Sequence, residues 1–595
     1  MEAIVKHKDS EDKMSMYSYQ EIGKILGERN VKIGASFSFD DEGNLIKGIQ
    51  EAINAGAKHL EIASLSRQGT ARSFDLSSSI ISEIGCIVRL SGATVGVHAS
   101  PHLNISGFGT DGFSFETRNQ AIREAKSSID FAYAINAKLL VIHPYSFPRP
   151  VSNIDPEFKE ESLKNFYLVE PRTERIVGVI SEQDMVFIPQ QAKDSRGSPL
   201  WLLDENRQPL LDRLAGKPIP RLATDENGRI RGAEMRFSEY IRRGKKEGKS
   251  LSEICNDFLH LQRLSEINRA YLGLAEAEKA ILEAQSRRDR LQDTLDHYRK
   301  IDDVLSPDDR WRLEKIIPDR LSQLGVPSDA KSVVKLLEEE LEANYRIIEA
   351  AKQNIMRGRP QLTQHIESFR EVRPLEDHGL EKISEAIAEL AAYSFSRSSG
   401  NPVRIAVENL PSPQMYGSCA MELLAIIEGA RKNLAIRLKQ RGCENPKTMA
   451  QNIIGATVDV GHFNLCRQFY KGDAFDKWMI SEVRKLSKEN NIFNLHLSDN
   501  RGIDDSHLPL GEGNTPIREI LKVLAEDGYR GYIVVEGHPT PASTKHSFNL
   551  FGIVPRATDD ELIKGFSPRE AFGGLMQKDD PERPRLGREE WEGLK

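Results

Sequence analysis

The sequence of 595 residues predicts an α/β protein, a (β/α)8 barrel with a long, mainly helical insertion between its fourth and fifth strands. Three observations point there. Eight short Val/Ile/Leu-rich runs read as strands buried on both faces, the habit of a parallel sheet covered by helices. Helical patterns lie between most of them. Nine potential metal ligands fall at or just beyond the ends of six of those runs, and in an α/β barrel the C-terminal strand ends converge on one face where chemistry is done.

The first half of the barrel is expected over residues 1–150, with runs at 31–36 (VKIGAS), 58–63 (KHLEIA), 94–98 (TVGVH) and 138–143 (KLLVIH). The second half is expected over 376–545, with runs at 403–408 (VRIAVE), 455–460 (GATVDV), 492–497 (IFNLHL) and 531–536 (GYIVVE). NLIKGIQEAINAGA, RNQAIREAKSSIDFAYAINA and TPIREILKVLAEDGY precede the second, fourth and eighth runs. Each carries apolar residues three and four apart and closes near Gly or Asn, as helices feeding a parallel strand do.

The connection over 151–375 is far longer than the loop and single helix usual at that point. Its first part is rich in Pro, Arg and Asp, with β-like pieces (RIVGVI, MVFIPQ) and a turn signal, DENG, at Asp225–Gly228. A polar helical stretch follows. Ile267, Leu274, Ile281 and Leu295 are spaced in sevens with Arg288 interrupting the column, and Val334, Leu337, Leu341, Ile348 and Ile355 form a second stripe. Two such helices joined through LSPDD and GVPSDA suggest an antiparallel hairpin or short coiled coil, either a self-packed insert or an arm for a homodimer or protein partner. Residues 546–595 read as a loosely ordered C-terminal extension.

Composition narrows the function classes. A net charge of −7 gives no global attraction to nucleic acid or an anionic membrane, although a local basic groove remains open. The five cysteines are scattered and form no CxxC, which suggests free thiols in a reducing cytoplasm. MEAIVKHKDSEDKM carries no apolar h-region, and no run approaches the length of a membrane span. A cytoplasmic enzyme without a membrane partner is the expectation.

The nine ligands are His98 (VGVHAS), His143 (LLVIHP), Glu408 (IAVENLP), Asp459 and His462 (TVDVGHFN), His496 (NLHLSDN), Asp505 and His507 (DDSHLPLGEG) and Glu536 (IVVEGH). Imidazoles and carboxylates are the donors that zinc, manganese and iron prefer. A carboxylate ending a run such as IVVE is costly to bury unless a cation meets it. Asp459 and His462 can present both side chains from a strand end and its following turn, and Asp505 and His507 point the same way if locally extended. A lone histidine is more often a core or surface residue. Five of the fourteen together with four carboxylates at one rim are hard to attribute to chance. Glu61 reads as an ordinary rim residue, Arg67, Gln68 and Arg72 in SRQGTARSF read equally as a bidentate phosphate grip or a solvated loop, and His102 and His538 lie near ligands. GFGTDG at 107–112 lacks the Lys-Ser/Thr of a phosphate loop and is set aside.

The order His, His, Glu, Asp-x-x-His, His, Asp-x-His, Glu resembles that of endonuclease IV, within the xylose isomerase-like TIM-barrel superfamily. IGASFS, HASPHLNIS around His98, HPYS after His143 and HLPLGEGN extend the likeness over about 30–150 and 376–540. The resemblance implies three zinc ions: the first on His98, His143 and Glu408, the second on Glu408, Asp459, His496 and Glu536, the third on His462, Asp505 and His507. It further implies phosphodiester cleavage, with nucleic acid as a candidate substrate and Glu408 bridging two metals. Two positions depart from that family. Pro101-His102 stands where a DNA-probing aromatic is usual, and Ser36 replaces a histidine of the first strand.

Sugar and sugar-phosphate isomerases and epimerases resembling this barrel hold one Mn2+, Mg2+ or Co2+ with a Glu, Asp, His, Glu quartet. Here those are Glu408, Asp459, His496 and Glu536, with Glu408 and Glu536 also shuttling a proton. The other five ligands favour the hydrolase reading. A catalytically idle barrel with a partner-binding arm runs against so many uncompensated carboxylates.

Overall fold

A computed structural model describes residues 18–38, 42–63, 76–149, 165–212, 216–300, 308, 311–312, 330–368, 370–470, 474–536 and 541–553. Arg67, Gln68, Arg72, His538, the LSPDD and GVPSDA links apart from Asp308 and Ala330, and the tail beyond 553 lie outside them. The chain divides into two compact units, Met1–Val179 with Leu375–Lys595, and Ile180–Pro374.

The first unit is the expected closed barrel of eight parallel strands. They are β1 (Lys32–Ser38), β2 (His59–Ala63), β3 (Thr94–His98), β4 (Leu139–Ile142), β5 (Arg404–Glu408), β6 (Ile454–Asp459), β7 (Ile492–Leu497) and β8 (Tyr532–Val535). Neighbours in the chain are neighbours in the sheet, and β8 closes on β1 through Lys32↔Tyr532 and Gly34↔Val534. Alternation decides which way each side chain points. Leu60, Ile62, Val95, Val97, Ile405, Val407, Ile533 and Val535 face outward into the main apolar core under the helices. Leu139, Val141, Ala406 and Phe493, with Tyr532 against them, form a separate cluster inside the lumen.

The surrounding helices bury one stripe each. Leu45, Ile49, Ala52 and Ile53 of the helix Glu42–Asn54 are buried at such spacing, as are Ile517, Ile520, Leu521 and Leu524 of Ile517–Glu526. Ser77 and Ser114 cap their helices by accepting from the backbone N–H of Ile80 and Thr117. At β6–β7 the register skips a residue: Ala456 pairs with Ile492, but Thr457 pairs with Asn494. The extra residue, Phe493, fills the lumen floor while Asn494 and His496 face the lumen above it.

In the second unit, the helices Leu251–Tyr298 and Ala330–Glu367 pack antiparallel. Leu291, Leu295 and Tyr298 meet Val333, Leu336 and Leu337 at one end, and Leu264 and Ile267 meet Leu362 and Ile366 at the other. The first buried column is broken at Ile281 and Arg288. A second heptad column three residues on, Ala277, Ala284, Leu291 and Tyr298, carries the contact past both. Arg287, beside Arg288, instead pairs with Glu340 across the two helices at 3.1 Å.

The Pro- and Asp-rich part contains a repeat that the sequence reading missed. Asp194, Asp204 and Asp225 each accept, through Oδ1, from the backbone N–H groups two and four residues on, at 2.8–2.9 Å. The residue three after each aspartate is left-handed: Gly197 (φ 84°), Arg207 (φ 60°) and Gly228 (φ 75°). Each is one tight hairpin closed by a bridge, Lys193↔Pro199, Leu203↔Pro209 and Thr224↔Ile230. Asn268 of the long helix secures them by accepting from Leu222 N–H and donating to the Pro220 carbonyl.

Candidate metal centre

Parallel pairing sets most of the predicted ligands at one level. Asp459 lies opposite His496, His98 opposite Val141, and Glu408, opposite Thr457, ends β5. His143 follows β4 and Glu536 follows β8 directly. Three groups of donor atoms lie within 4.8 Å of one another: His98, His143 and Glu408; Glu408, Asp459, His496 and Glu536; and Glu61, His98, His496 and Glu536. The remaining trio meets through one oxygen, with His462 Nε2 3.3 Å and His507 Nε2 3.2 Å from Asp505 Oδ2.

Glu408 links the first two groups. Its Oε2 lies 2.9 Å from His98 Nε2 and 3.1 Å from His143 Nε2, and its Oε1 lies 3.1 Å from His496 Nδ1. His496 Nδ1 is also 3.1 Å from Glu536 Oε1. Several rings are fixed by what holds their other nitrogen. His98 Nδ1 is bonded to the Ala99 carbonyl and His462 Nδ1 to the Asn409 carbonyl, each at 2.7 Å, so both present Nε2 to the cluster. His496 Nε2 contacts Glu61 Oε2 at 3.1 Å and Asn494 Nδ2 at 3.0 Å, which leaves Nδ1 inward. A carboxylate or carbonyl behind a ring is the outer support that metal-binding histidines use.

The loops are built as carefully. Asp459 caps the short helix Val460–Asn464 by accepting from His462 N–H, and accepts the Ser498 hydroxyl at 2.7 Å. A Cβ at Gly461 would stand 2.0 Å from Ser498 Oγ, so that glycine is required by close approach. Buried Asp499 accepts from Gly511, Gly513 and Thr515 N–H at 2.9–3.1 Å, and its carbonyl accepts from Leu508 N–H at 2.7 Å. This ties down the loop bearing Asp505 and His507, and accounts for the glycines of HLPLGEGN. His507 itself is left-handed, φ 46°, a strained backbone held at the rim.

Electrostatics favour a cation here. Among the described residues, the ion-pair partners of Glu408, Asp459, Asp505 and Glu536 are histidines alone. Buried Asp459 Oδ2 and Asp505 Oδ1 have no hydrogen-bond partner. Burial opposes ionisation of Glu408, yet His496 and His143 outweigh it and hold the carboxyl well below its usual range. Burial pushes Glu536 up to about 7, with Asp459 and Glu408 adding to it against the pull of His496. Burial also opposes charge on His98, but Glu408 overrides it and raises that ring to about 9. The hydrogen bond to Asp505 raises His507 to about 9. A field that loads protons onto imidazoles also favours divalent cations in their place, with proton release on binding. The donor set, the orphaned oxygens and, among the described residues, the lack of a Lys or Arg partner all fit such ions.

One expectation changes in detail. Glu61, read as a rim residue, is fully buried in the lumen against His496. The missed signal is alternation in KHLEIA, where His59 and Glu61 interleave with the outward Leu60 and Ile62. Asn409, Asn494 and Ser498 were likewise unmarked in the sequence.

Residues 335–552 match the family model described as the xylose isomerase-like TIM barrel. An uncharacterized protein of Methanocaldococcus jannaschii is 35% identical over 83 residues, 14% of this chain and 25% of that protein. The chain thus spans about a quarter of the curated relative it matches. Among solved structures, a D-tagatose 3-epimerase-like protein is similar with TM-score 0.36 and 13% identity, covering 90% of this chain and 98% of the other. D-psicose 3-epimerase of Clostridium cellulolyticum, solved with D-tagatose, has TM-score 0.35 and 12% identity, covering 92% and 97%. Endonuclease IV from Thermus thermophilus has TM-score 0.34 and 9% identity, covering 88% and 97%. No helix among the described residues is long and apolar enough to cross a membrane.

Proposed function

We propose that this xylose isomerase-like barrel is a metal-dependent hydrolase that cleaves a phosphodiester at a site for up to three divalent ions, zinc being the best match to the donors. The observation that carries the reading is the Glu408 carboxylate. One oxygen serves His98 and His143 and the other serves His496, so a single anion joins two donor groups. His98, His143 and Glu408 would hold one ion, and Glu408, Asp459, His496 and Glu536 a second. His462, Asp505 and His507 would hold a third. Bound there, such ions supply a water acidic enough to ionise near neutral pH and neutralise charge on the phosphoryl and leaving oxygens.

The chain's own residues do the remaining work. Glu61 and the Ala99 and Asn409 carbonyls orient His496, His98 and His462. Asp499 holds the loop that carries Asp505 and His507 at the substrate side. Glu536, directly after its strand, is a further carboxylate of the second group, with Oε1 3.1 Å from His496 Nδ1. No protein nucleophile is required.

A second reading rests on the quartet Glu408, Asp459, His496 and Glu536, whose donors lie within 4.8 Å. Alone it would suit a single-metal sugar or sugar-phosphate isomerase or epimerase, with Glu408 and Glu536 moving the proton. The test is metal content per chain in protein purified without added metal, beside Glu408→Ala. About three zinc ions, falling on mutation, support the hydrolase and direct assays to phosphodiesters. A single manganese, magnesium or cobalt ion, unaffected by His98→Ala or His507→Ala, overturns it in favour of the isomerase.

A further inference from the structure

At the opposite end of the barrel, Arg404 opens β5 on the same face of the strand as Ala406 and Glu408, so it enters the lumen floor. Four residue steps along the strand carry it to Glu408, about 13 Å. Its guanidinium lies 4.7 Å from the Phe493 ring centroid and 5.5 Å from that of Tyr532. These ring contacts are cation–π in kind and supply no oxygen acceptor to its N–H fork. Among the described residues no side-chain hydrogen bond or ion pair engages that fork, although Arg404 is half-buried. What it lines is a cavity of about 820 Å³, walled also by Asn452, Asn490 and Arg530.

A second cavity, about 470 Å³, shares Gln451 and Glu489 with the first and adds Lys432, Lys439 and Lys447. None of these lysines, nor Arg530, has an ion-pair partner among the described residues. The carboxylates present are Glu428, Glu489 and Asp527, and Asp527 already accepts the Ser487 hydroxyl. Cations therefore outnumber acids across the pair of cavities. An unpaired planar fork backed by aromatic rings, with amide donors beside it, suits an oxyanion.

We infer that the N-terminal end of the barrel binds a small-molecule anion, a phosphate or carboxylate group seated on Arg404 and Arg530 with its body extending toward the three lysines. This site is separate from the metal centre and independent of the reaction assigned there.

Isothermal titration of the full chain with inorganic phosphate, and separately with succinate, tests it. Saturable binding of either is expected, weakened at least tenfold by Arg404→Gln and measurably by Arg530→Gln, and unchanged by Glu408→Ala. A preference for one probe assigns the group. The inference is overturned if neither anion binds, if Arg404→Gln binds as the wild type does, or if binding vanishes in Glu408→Ala alone. Should Arg404→Gln fail to fold, the exposed change Arg530→Gln decides, and unchanged affinity there overturns it.

Discussion

Glu61 and His496 form a fully buried pair across the lumen, His496 Nε2 lying 3.1 Å from the carboxylate while Nδ1 faces Glu408 and Glu536. The contact fixes which nitrogen the ring offers.

From that pairing, Glu61→Gln should lower metal affinity by roughly 10- to 100-fold, the usual effect of removing an outer carboxylate behind a ligating histidine. Competition with a chelator measures it. Wild-type affinity in the variant would mean that the ring is held by Asn494 and packing instead.

The Asp499 loop predicts a more selective loss. Asp499→Ala frees the Gly511, Gly513 and Thr515 N–H groups and so releases Asp505 and His507, while Glu408, Asp459 and His496 stay on strands. Metal analysis should show one ion fewer per chain. Loss of all bound metal, or of none, would count against a separate third position.

His59 gives a pH dependence away from the cluster. Burial, partly offset by the charge of Glu61, lowers its pKa to about 3, and its ring stacks on Tyr532 at 4.1 Å. Between that value and the ordinary 6.5, the unfolded chain takes a proton that the folded chain refuses. Stability is therefore fully present above pH 6.5 and falls as acid is added, by about 2 kcal/mol at pH 5 from this group alone. Urea unfolding of wild type and His59→Gln at pH 7.5 and pH 5 isolates the effect, since other groups titrate in both. Equal losses in the two proteins would refute it.

The strands and predicted ligands were legible because a both-face-buried run is short, apolar and abruptly ended, and because a histidine or carboxylate at its end has no packing reason to be there. The pairing of Asp459 with His496 was less so, because it depends on the residue skipped at Phe493, without which Asp459 would lie opposite Leu495. Glu61 was hidden since its meaning depends on which side of β2 faces the lumen, and a strand's period says only that two sides exist. Asn409 and Ser498 act through the backbone and through Asp459, which spacing alone does not reveal. In the second unit, Ala277 and Ala284 carry too little apolar surface to mark a stripe, so the column past Arg288 went unseen.

The five residues of β5 place Arg404 and Glu408 inward and Ile405 and Val407 outward. Slide this strand by one position and both charges would enter the oily layer beneath the helices, with two branched hydrocarbons stranded in the lumen. Each buried charge without a counterpart would cost several kcal/mol. The groups that give the barrel its chemistry thus also measure it during assembly, penalising misaligned closure. Deleting a single residue between Val403 and Asn409 should accordingly do more harm than replacing any one of those between them.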